Sequence, residues 1–247
     1  MLNLVGSIVG MIAVAVNLVA FTHAVSGTLA RRLALAGIGG AWVGLASGLG
    51  AAGELAFSPE HPLPLIGVLF AVPLLVVGVL ALGWQSVRTA LLAVPMPLLI
   101  GLNSLRVLGV LFLLLAASGQ LSGPFPFSAG LGDMITGALA VPLALRVARS
   151  GRASSSAVRG WNIFGTLDLV AAVGLGLTSA AGGPLQLIHW GVGSAAMQYL
   201  PYCLVPTVLV PFYLITHAII AAQLASIQPA QALATASNGS RALQRTA

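Results

Sequence analysis

The feature that most constrains this chain is an arginine, Arg106, placed inside a long apolar run. The nearest charged residues along the chain are Arg88 before it and Asp133 after it. An arginine at the centre of a bilayer costs between about 2.5 and 17 kcal/mol, depending on the method, unless protein groups replace its water. The fold must therefore turn Arg106 towards other helices that carry acceptors for it.

The composition shows that such apolar runs face lipid. Charged residues make up 6% of the chain and apolar residues 58%, whereas a soluble domain carries roughly 25% charge. The single cysteine, Cys203, excludes an internal disulfide framework. The net charge of +6 comes from arginines that lie mostly in short connections between apolar runs. These residues indicate orientation in a membrane and do not indicate a nucleic-acid partner.

Seven apolar runs are long enough to span a bilayer, which needs about 20 residues. The sequence therefore predicts an all-α, polytopic transmembrane bundle of seven helices over residues 1–227, followed by a flexible cytoplasmic tail over 228–247. The predicted spans are 3–24, 33–52, 62–82, 89–118, 127–147, 160–181 and 200–224.

The arginines predict the orientation of this bundle. Nine arginines lie in or near the connections after spans one, three and five and in the tail after span seven: Arg31, Arg32, Arg88, Arg146, Arg149, Arg152, Arg159, Arg241 and Arg245. The alternate connections contain no arginine. Basic connections stay cytoplasmic, so we expect the N-terminus outside and the C-terminus inside. All ten basic residues are arginine and Ala, Gly and Leu abound, which favours a GC-rich bacterial gene and a bacterial inner membrane.

Depth within the spans predicts a central polar site. Spans four and six run in the same direction, so Arg106 and Asp168 fall at similar depth, and Asp133 lies roughly 9 Å inside span five at 1.5 Å per residue. Arginine and carboxylate pair well. We expect the substrate or ion site to be formed by Arg106, Asp168, Asp133, Asn103, His217 and Asn162.

The charges of this site do not balance. One arginine against two aspartates leaves an excess negative charge, so an aspartate is protonated, His217 carries a proton, or a cation visits the site. Such a core suits proton- or cation-linked function. A static network that only fixes helix packing is the alternative.

Two patterns, one of glycines in span two and one of prolines in span seven, each have two interpretations. Gly40, Gly44 and Gly48 in span two allow close helix approach, either inside the bundle or against a second copy of the chain. Span seven contains Pro201, Pro206 and Pro211. Proline leaves a backbone carbonyl without its usual donor. Such carbonyls either line a cavity or mark a hinge, or the helix is simply kinked and well packed.

No cofactor is predicted. Haem b between two histidines would have to use His23 and His217, which come from the first and last spans, and no second pair stands near. The sequence holds no HExxH, no Gly-x-Ser-x-Gly, no phosphate loop and no paired cysteine motif. A catalytic role is therefore uncertain and less favoured than a non-enzymatic one.

Three motifs resemble a group of uncharacterised bacterial multi-pass membrane proteins. They are N-x-x-R-x-x-G-x-x-F-L from Asn103, G-L-G-D ending at Asp133, and W-N-x-x-G-x-x-D-L from Trp161. The last span of that group resembles the L-V-P-T-x-L-V-P…H pattern that ends at His217. The resemblance covers roughly the C-terminal 60% of the chain and implies no activity.

Taken together, these features predict a small-solute or ion transporter with the bilayer and a small molecule or proton as partners. In this hypothesis Arg106 binds or releases an acid or anion as an aspartate changes protonation. The alternative is a non-transporting component, such as a sensor, assembly factor or subunit of a complex. An intramembrane enzyme or haem carrier is the third hypothesis.

Overall fold

The computed structural model describes residues 2–25, 27–57, 64–150 and 156–226, and these residues form helices without any strand. The predicted tail 228–247, with Arg241 and Arg245, lies outside the described residues, as do Arg152, Glu60 and His61. In chain order the helices are α1 (Leu2–Ala24), α2 (Leu29–Ala51), α3 (Leu65–Gly83), α4 (Gln85–Leu92), α5 (Met96–Ala117), α6 (Phe125–Ser150), α7 (Ser156–Thr178) and α8 (Val205–Ser226).

Seven of these helices, all but α4, are long and apolar enough to cross a membrane. The predicted all-α bundle with seven membrane-capable helices is therefore confirmed. Arginines lie where α2, α6 and α7 meet their connections and in α4. We call this end of the bundle the arginine end, and the other end, where α2–α3, α5–α6 and α7–α8 are joined, the arginine-free end.

The single span predicted over 89–118 is wrong, because the helix is interrupted before Pro95. Helix α4 ends at Leu92, and α5 begins at Met96. Proline cannot donate a backbone hydrogen bond, so the carbonyls at the break need other donors. The side chain of Gln223 in α8 donates through Nε2 to the carbonyls of Leu92 and Val94, at 3.0 and 2.7 Å. The break is thereby fixed to the last helix.

The middle of α5 is a 3₁₀ helix over Asn103–Gly109, a tighter form that is used in short pieces. This segment lies directly on α6. A Cβ atom on Gly137 would meet the backbone nitrogen of Val107 at 2.5 Å, and one on Gly109 would meet Cβ of Asp133 at 2.6 Å. Glycine at these two positions lets the two backbones touch, which places Asp133 against the arginine-bearing turn.

Helix α8 begins with a π-helical turn over Val205–Leu209. Pro211 has no N–H to give the carbonyl of Thr207 four residues earlier. The indole Nε1 of Trp42 in α2 donates to that carbonyl at 3.0 Å. Of the two interpretations of the proline pattern, this contact supports the kinked and packed helix at Pro211.

The glycine pattern in α2 does not serve packing among the residues that the structure describes. Gly40, Gly44 and Gly48 are exposed, and a Cβ atom on any of them would meet nothing within 4 Å. The favoured interpretation, internal packing, is therefore wrong for these three residues. Contact with a second copy of the chain stays a prediction.

The connections at the arginine-free end pack on one another. Ser122, between α5 and α6, donates through Oγ to the carbonyl of Trp190 at 2.5 Å and accepts from the Gly193 nitrogen at 2.8 Å. The connection between α7 and α8 contains a 3₁₀ turn, Ala195–Gln198. This turn brings Met197 and Gln198 over the ends of the helices, where Met197 packs with Phe125.

Candidate functional site

Arg106 lies in the 3₁₀ segment of α5 with its side chain completely buried. Its Nε donates to Oδ1 of Asp133 in α6 at 2.6 Å, and its Nη2 donates to Oδ2 of Asp168 in α7 at 2.6 Å. Both are short, charge-assisted hydrogen bonds. The structure thus brings together the three charged side chains that depth in the membrane had paired.

The remaining guanidinium nitrogen, Nη1, reaches two further helices. It donates to the backbone carbonyl of Gly165 in α7 at 3.3 Å and lies 3.0 Å from Nε2 of His217 in α8. Arginine has donors only, so Nε2 of His217 must be the acceptor. Arg106 therefore joins α5, α6, α7 and α8 through one side chain.

This contact fixes the state of the imidazole. Since Nε2 accepts from Arg106, the ring proton of His217 sits on Nδ1, which lies 2.9 Å from Oδ1 of Asn162. The amide of Asn162 is held in turn, because its Nδ2 donates to the His217 carbonyl at 3.3 Å. A neutral His217 contradicts the idea that its proton balances the second aspartate.

The same hydrogen bonds decide the question of haem. An axial histidine ligates iron through a ring nitrogen with a free lone pair. Nε2 of His217 is occupied by Arg106 and Nδ1 carries the proton. His23 lies at the arginine end of α1, with Nδ1 3.3 Å from Nη1 of Arg32. His217 does not fit a haem ligand in this arrangement.

Glycines make room for the site. A Cβ atom on Gly132, in α6, would lie 1.6 Å from Oδ1 of Asp168, and one on Gly165 would lie 2.6 Å from Cε1 of His217. Neither space can be filled by any other residue without moving a member of the cluster. The close approach of α6 to α7 at Gly132, and of α7 to α8 at Gly165, is what lets Asp168 and His217 reach Arg106.

Asn103 supports this cluster from one turn away. It is fully buried, and its Nδ2 donates to the Leu99 carbonyl at 2.9 Å and to Oγ1 of Thr216 at 3.2 Å. It shares the inward face of α5 with Arg106, as predicted, but it bonds to neither aspartate. Its position at the arginine end of the cluster stabilises the contact between α5 and α8.

The sequence did not predict that α1 joins this network. Nδ2 of Asn17 donates to the hydroxyl of Tyr213 at 3.0 Å, and the Tyr213 ring lies 5.8 Å from Cζ of Arg106, within cation–π range. Asn17 is only 2% exposed. A buried amide in the middle of the first apolar run was the available signal.

The two carboxylates differ in exposure. The side chain of Asp133 is 16% exposed and that of Asp168 is 7% exposed. Arg106 binds Oδ1 of Asp133, and none of the side-chain hydrogen bonds found among the described residues goes to Oδ2. Asp168 likewise binds Arg106 through Oδ2 alone, so each acid has one oxygen that Arg106 does not engage, and Asp133 is the more accessible of the two.

Asp133 borders two cavities. The larger one, of about 100 Å³, extends from Asp133 to the arginine-free end, and the smaller one, of about 60 Å³, also touches Arg106 and Tyr213. The larger cavity is almost entirely apolar. Its lining comes from α3, α5, α6, α7, α8 and two connections and includes Phe57, Phe70, Phe112, Phe125, Leu169 and Gln198.

The chain belongs to a family described as a domain of unknown function, DUF8737, whose match covers residues 63–225. All the predicted site residues, from Asn103 to His217, lie within this match. Asn17 and the α2 glycines lie before it. No curated protein and no solved structure matches the chain. The description of the family assigns no function and therefore no role to these residues.

Proposed function

We propose that this protein is a membrane transporter for a small solute or ion, and that the cluster of Arg106, Asp133 and Asp168 is its proton- or cation-linked site. The observation that carries the proposal is the charge balance. One guanidinium faces two carboxylates, and His217 is neutral because its Nε2 accepts from Arg106. A proton on an aspartate or a bound cation supplies the missing positive charge.

The accessible member of the cluster supports a cation over an anion. The Arg106 side chain is 0% exposed and already has four acceptors, whereas Asp133 borders both cavities. An acid or anion would reach Arg106 only after one of its ion pairs opened. A cation or proton can reach Asp133 without breaking any bond, so we place the exchangeable charge there.

The orientation follows from the arginines. With the arginine end in the cytoplasm of a bacterial cell, the apolar cavity that leads to Asp133 lies on the outer side of the cluster. Asn103 in α5 donates to Thr216 in α8 at 3.2 Å and joins these two helices beside the cluster. We infer that this arrangement is the outward-facing half of an alternating-access cycle.

Proton flux into liposomes tests this function. Purified protein is reconstituted, a pH gradient is imposed, and flux is compared among wild type, Asp133→Asn and Asp168→Asn. We expect both aspartate variants to lose the flux, Asp133→Asn most completely. Glu54→Gln is the matched control, because it removes one acid outside the cluster. Fluxes that are the same for all four proteins at every pH would contradict the proposal.

A specific observation favours a second function, that of a non-transporting membrane component. Arg106 in α5 binds three other helices at once and is completely buried, which also suits a purely architectural network. In that case Asp133→Asn lowers the folded yield and leaves no flux to lose. A size-exclusion profile of each variant separates the two functions.

A further inference from the structure

The larger cavity has a polar group at each end and apolar walls between them. At its inner end lies Asp133, with Oδ2 not engaged by Arg106. Towards the arginine-free end lies Gln198, which is 5% exposed. The Gln198 side chain accepts through Oε1 from the backbone nitrogen of Phe57 at 2.9 Å, and its Nε2 has no hydrogen-bond partner among the residues that the structure describes.

A buried amide donor without a partner costs free energy, and native proteins rarely leave one unpaired. Gln198 lines the cavity. Its Nε2 is itself covered, so a small movement of the amide would let a molecule in the cavity supply the missing acceptor. At the other end, the ion cluster carries an excess negative charge that a bound cation would neutralise. The two ends therefore require opposite chemistry from the same occupant.

The walls define the body of that occupant. Phenylalanines come from four separate elements, and between them lie small residues of α6 and α7, Ala129, Ala172 and Gly176. A Cβ atom on Gly176 would already be 3.4 Å from the Phe125 ring. Phe125 packs with Met197, next to Gln198, and lies eight residues before Asp133 in α6, so the cavity is about 12 Å long at 1.5 Å per residue.

We propose that this cavity binds a small, linear amphiphile with a cationic amino group at Asp133, an apolar body between the phenylalanines and a hydrogen-bond acceptor at Gln198. The ammonium donates to the free carboxylate oxygen, and the aromatic walls stabilise it further. The narrow, apolar walls exclude strongly hydrated ions. This deepens the proposed function by naming a substrate class, but binding itself does not require transport.

Calorimetric titration of the detergent-solubilised protein tests the cationic end. Three ligands of equal chain length are compared, n-hexylamine, n-hexanol and hexanoate, with protein-free micelles as the blank. We expect the amine to bind about ten- to a hundredfold more tightly than the alcohol, the difference of a charge-assisted hydrogen bond, and hexanoate not to bind. Equal affinities for amine and alcohol, or preferred binding of hexanoate, would overturn the proposal.

Two variants locate the amine. Asp133→Asn is expected to remove the preference for amine over alcohol, whereas Glu54→Gln keeps it. Because Asp133→Asn also disturbs the cluster, Ala172→Phe provides a test that leaves every charged group in place. Ala172 lines the cavity, and its neighbour Ala171 faces outwards. Binding should be lost in Ala172→Phe and kept in Ala171→Phe; loss in both or in neither would contradict the cavity as the site.

The acceptor end is tested by a ratio of affinities. A linear ω-amino amide that spans the cavity should bind about fivefold more tightly than the amine of equal length, because it satisfies Gln198. Gln198→Glu keeps the oxygen that accepts from Phe57 and removes the unpaired donor. Its new charge acts on both ligands alike, so the ratio should fall to about one. An unchanged ratio would overturn the assignment of Gln198.

These measurements separate the two proposals. Amine binding that disappears in Asp133→Asn, in a protein without proton flux, would support the ligand site and contradict transport. Flux that depends on Asp133, in a protein that does not distinguish amine from alcohol, would support proton transport and contradict the amphiphile.

Discussion

Gly132 and Asp168 face each other so closely that a Cβ atom on Gly132 would lie 1.6 Å from Oδ1 of Asp168. Gly132 immediately precedes Asp133 in α6, and Asp168 lies in α7. Gly132 therefore allows Asp168, from the next helix, to reach the same arginine that Asp133 binds. The ion cluster depends on the absence of a side chain at Gly132 as well as on its three charges.

We expect Gly132→Ala to break the contact between Asp168 and Arg106. Even this smallest side chain forces the carboxylate away, and separating one partner from a buried ion pair costs about 3–5 kcal/mol. Thermal unfolding in detergent should show a marked loss of stability. Gly44→Ala is the matched control, because its Cβ meets nothing within 4 Å and alanine favours a helix. Similar melting of the two variants would contradict this account.

Replacing Arg106 alone should lower the folded yield more than replacing all three charged residues of the cluster together. Arg106→Leu leaves two carboxylates in the bundle without their counter-ion, and we expect a severe loss of folded protein. Arg106→Lys should rescue it poorly, since one ammonium cannot reproduce donors directed at three other helices. Fluorescence size-exclusion yield measures both.

The triple variant Arg106→Leu, Asp133→Asn, Asp168→Asn provides the control for charge. It removes the counter-ion and the charges together, so its folded yield should exceed that of Arg106→Leu alone. A triple variant that folds less well than the single one would show that shape, and not unpaired charge, is what Arg106 contributes.

The protonation of His217 follows from its neighbours. Arg106 only donates, so Nε2 accepts and Nδ1 carries the proton towards Asn162. Nitrogen NMR of protein with labelled histidine rings should show one buried ring protonated on Nδ1 alone. His217→Gln, which removes the signal, assigns it. A ring protonated on both nitrogens, or on Nε2, would contradict the hydrogen-bond network.

Physical rules for a membrane were enough to predict the seven helices and the meeting of Arg106 with Asp133 and Asp168. A cation among apolar residues has few solutions, and depth along a helix can be counted from sequence. Asp133 lies eight residues from the start of its helix and not the predicted six, because α6 begins at Phe125 rather than at residue 127.

Other features of the site depend on which residues face each other across helices, and this cannot be read from the sequence of a single helix. Gly132 and Gly165 matter because of what faces them in the next helix. The cavity exists because residues from five helices fail to fill a space, and the unpaired donor of Gln198 appears only once Phe57 is placed. The proline pair around Met96, by contrast, was a visible signal for the break before α5 that the length of the apolar run obscured.

Trp42 and Pro211 should behave as a coupled pair. The Trp42 indole donates to the Thr207 carbonyl, which cannot accept from the nitrogen of Pro211 four residues later. We expect Trp42→Phe to destabilise the protein by about 1 kcal/mol, the net value of a hydrogen bond, as measured by thermal unfolding. In a Pro211→Ala background the alanine N–H can serve the carbonyl, so Trp42→Phe should cost less there. Equal costs in the two backgrounds would contradict the coupling.

The orientation can be measured with introduced cysteines. The one native cysteine, Cys203, is fully buried, so the unmodified protein is the blank. Ser86 in α4 and Leu187 in the α7–α8 connection are both exposed and lie at opposite ends of the bundle. If basic connections stay in the cytoplasm, a membrane-impermeant maleimide applied to intact cells should label Leu187→Cys at once and Ser86→Cys only after permeabilisation. The reverse pattern would place the arginine end outside and the mouth of the cavity inside, which would invert the direction of access proposed for Asp133.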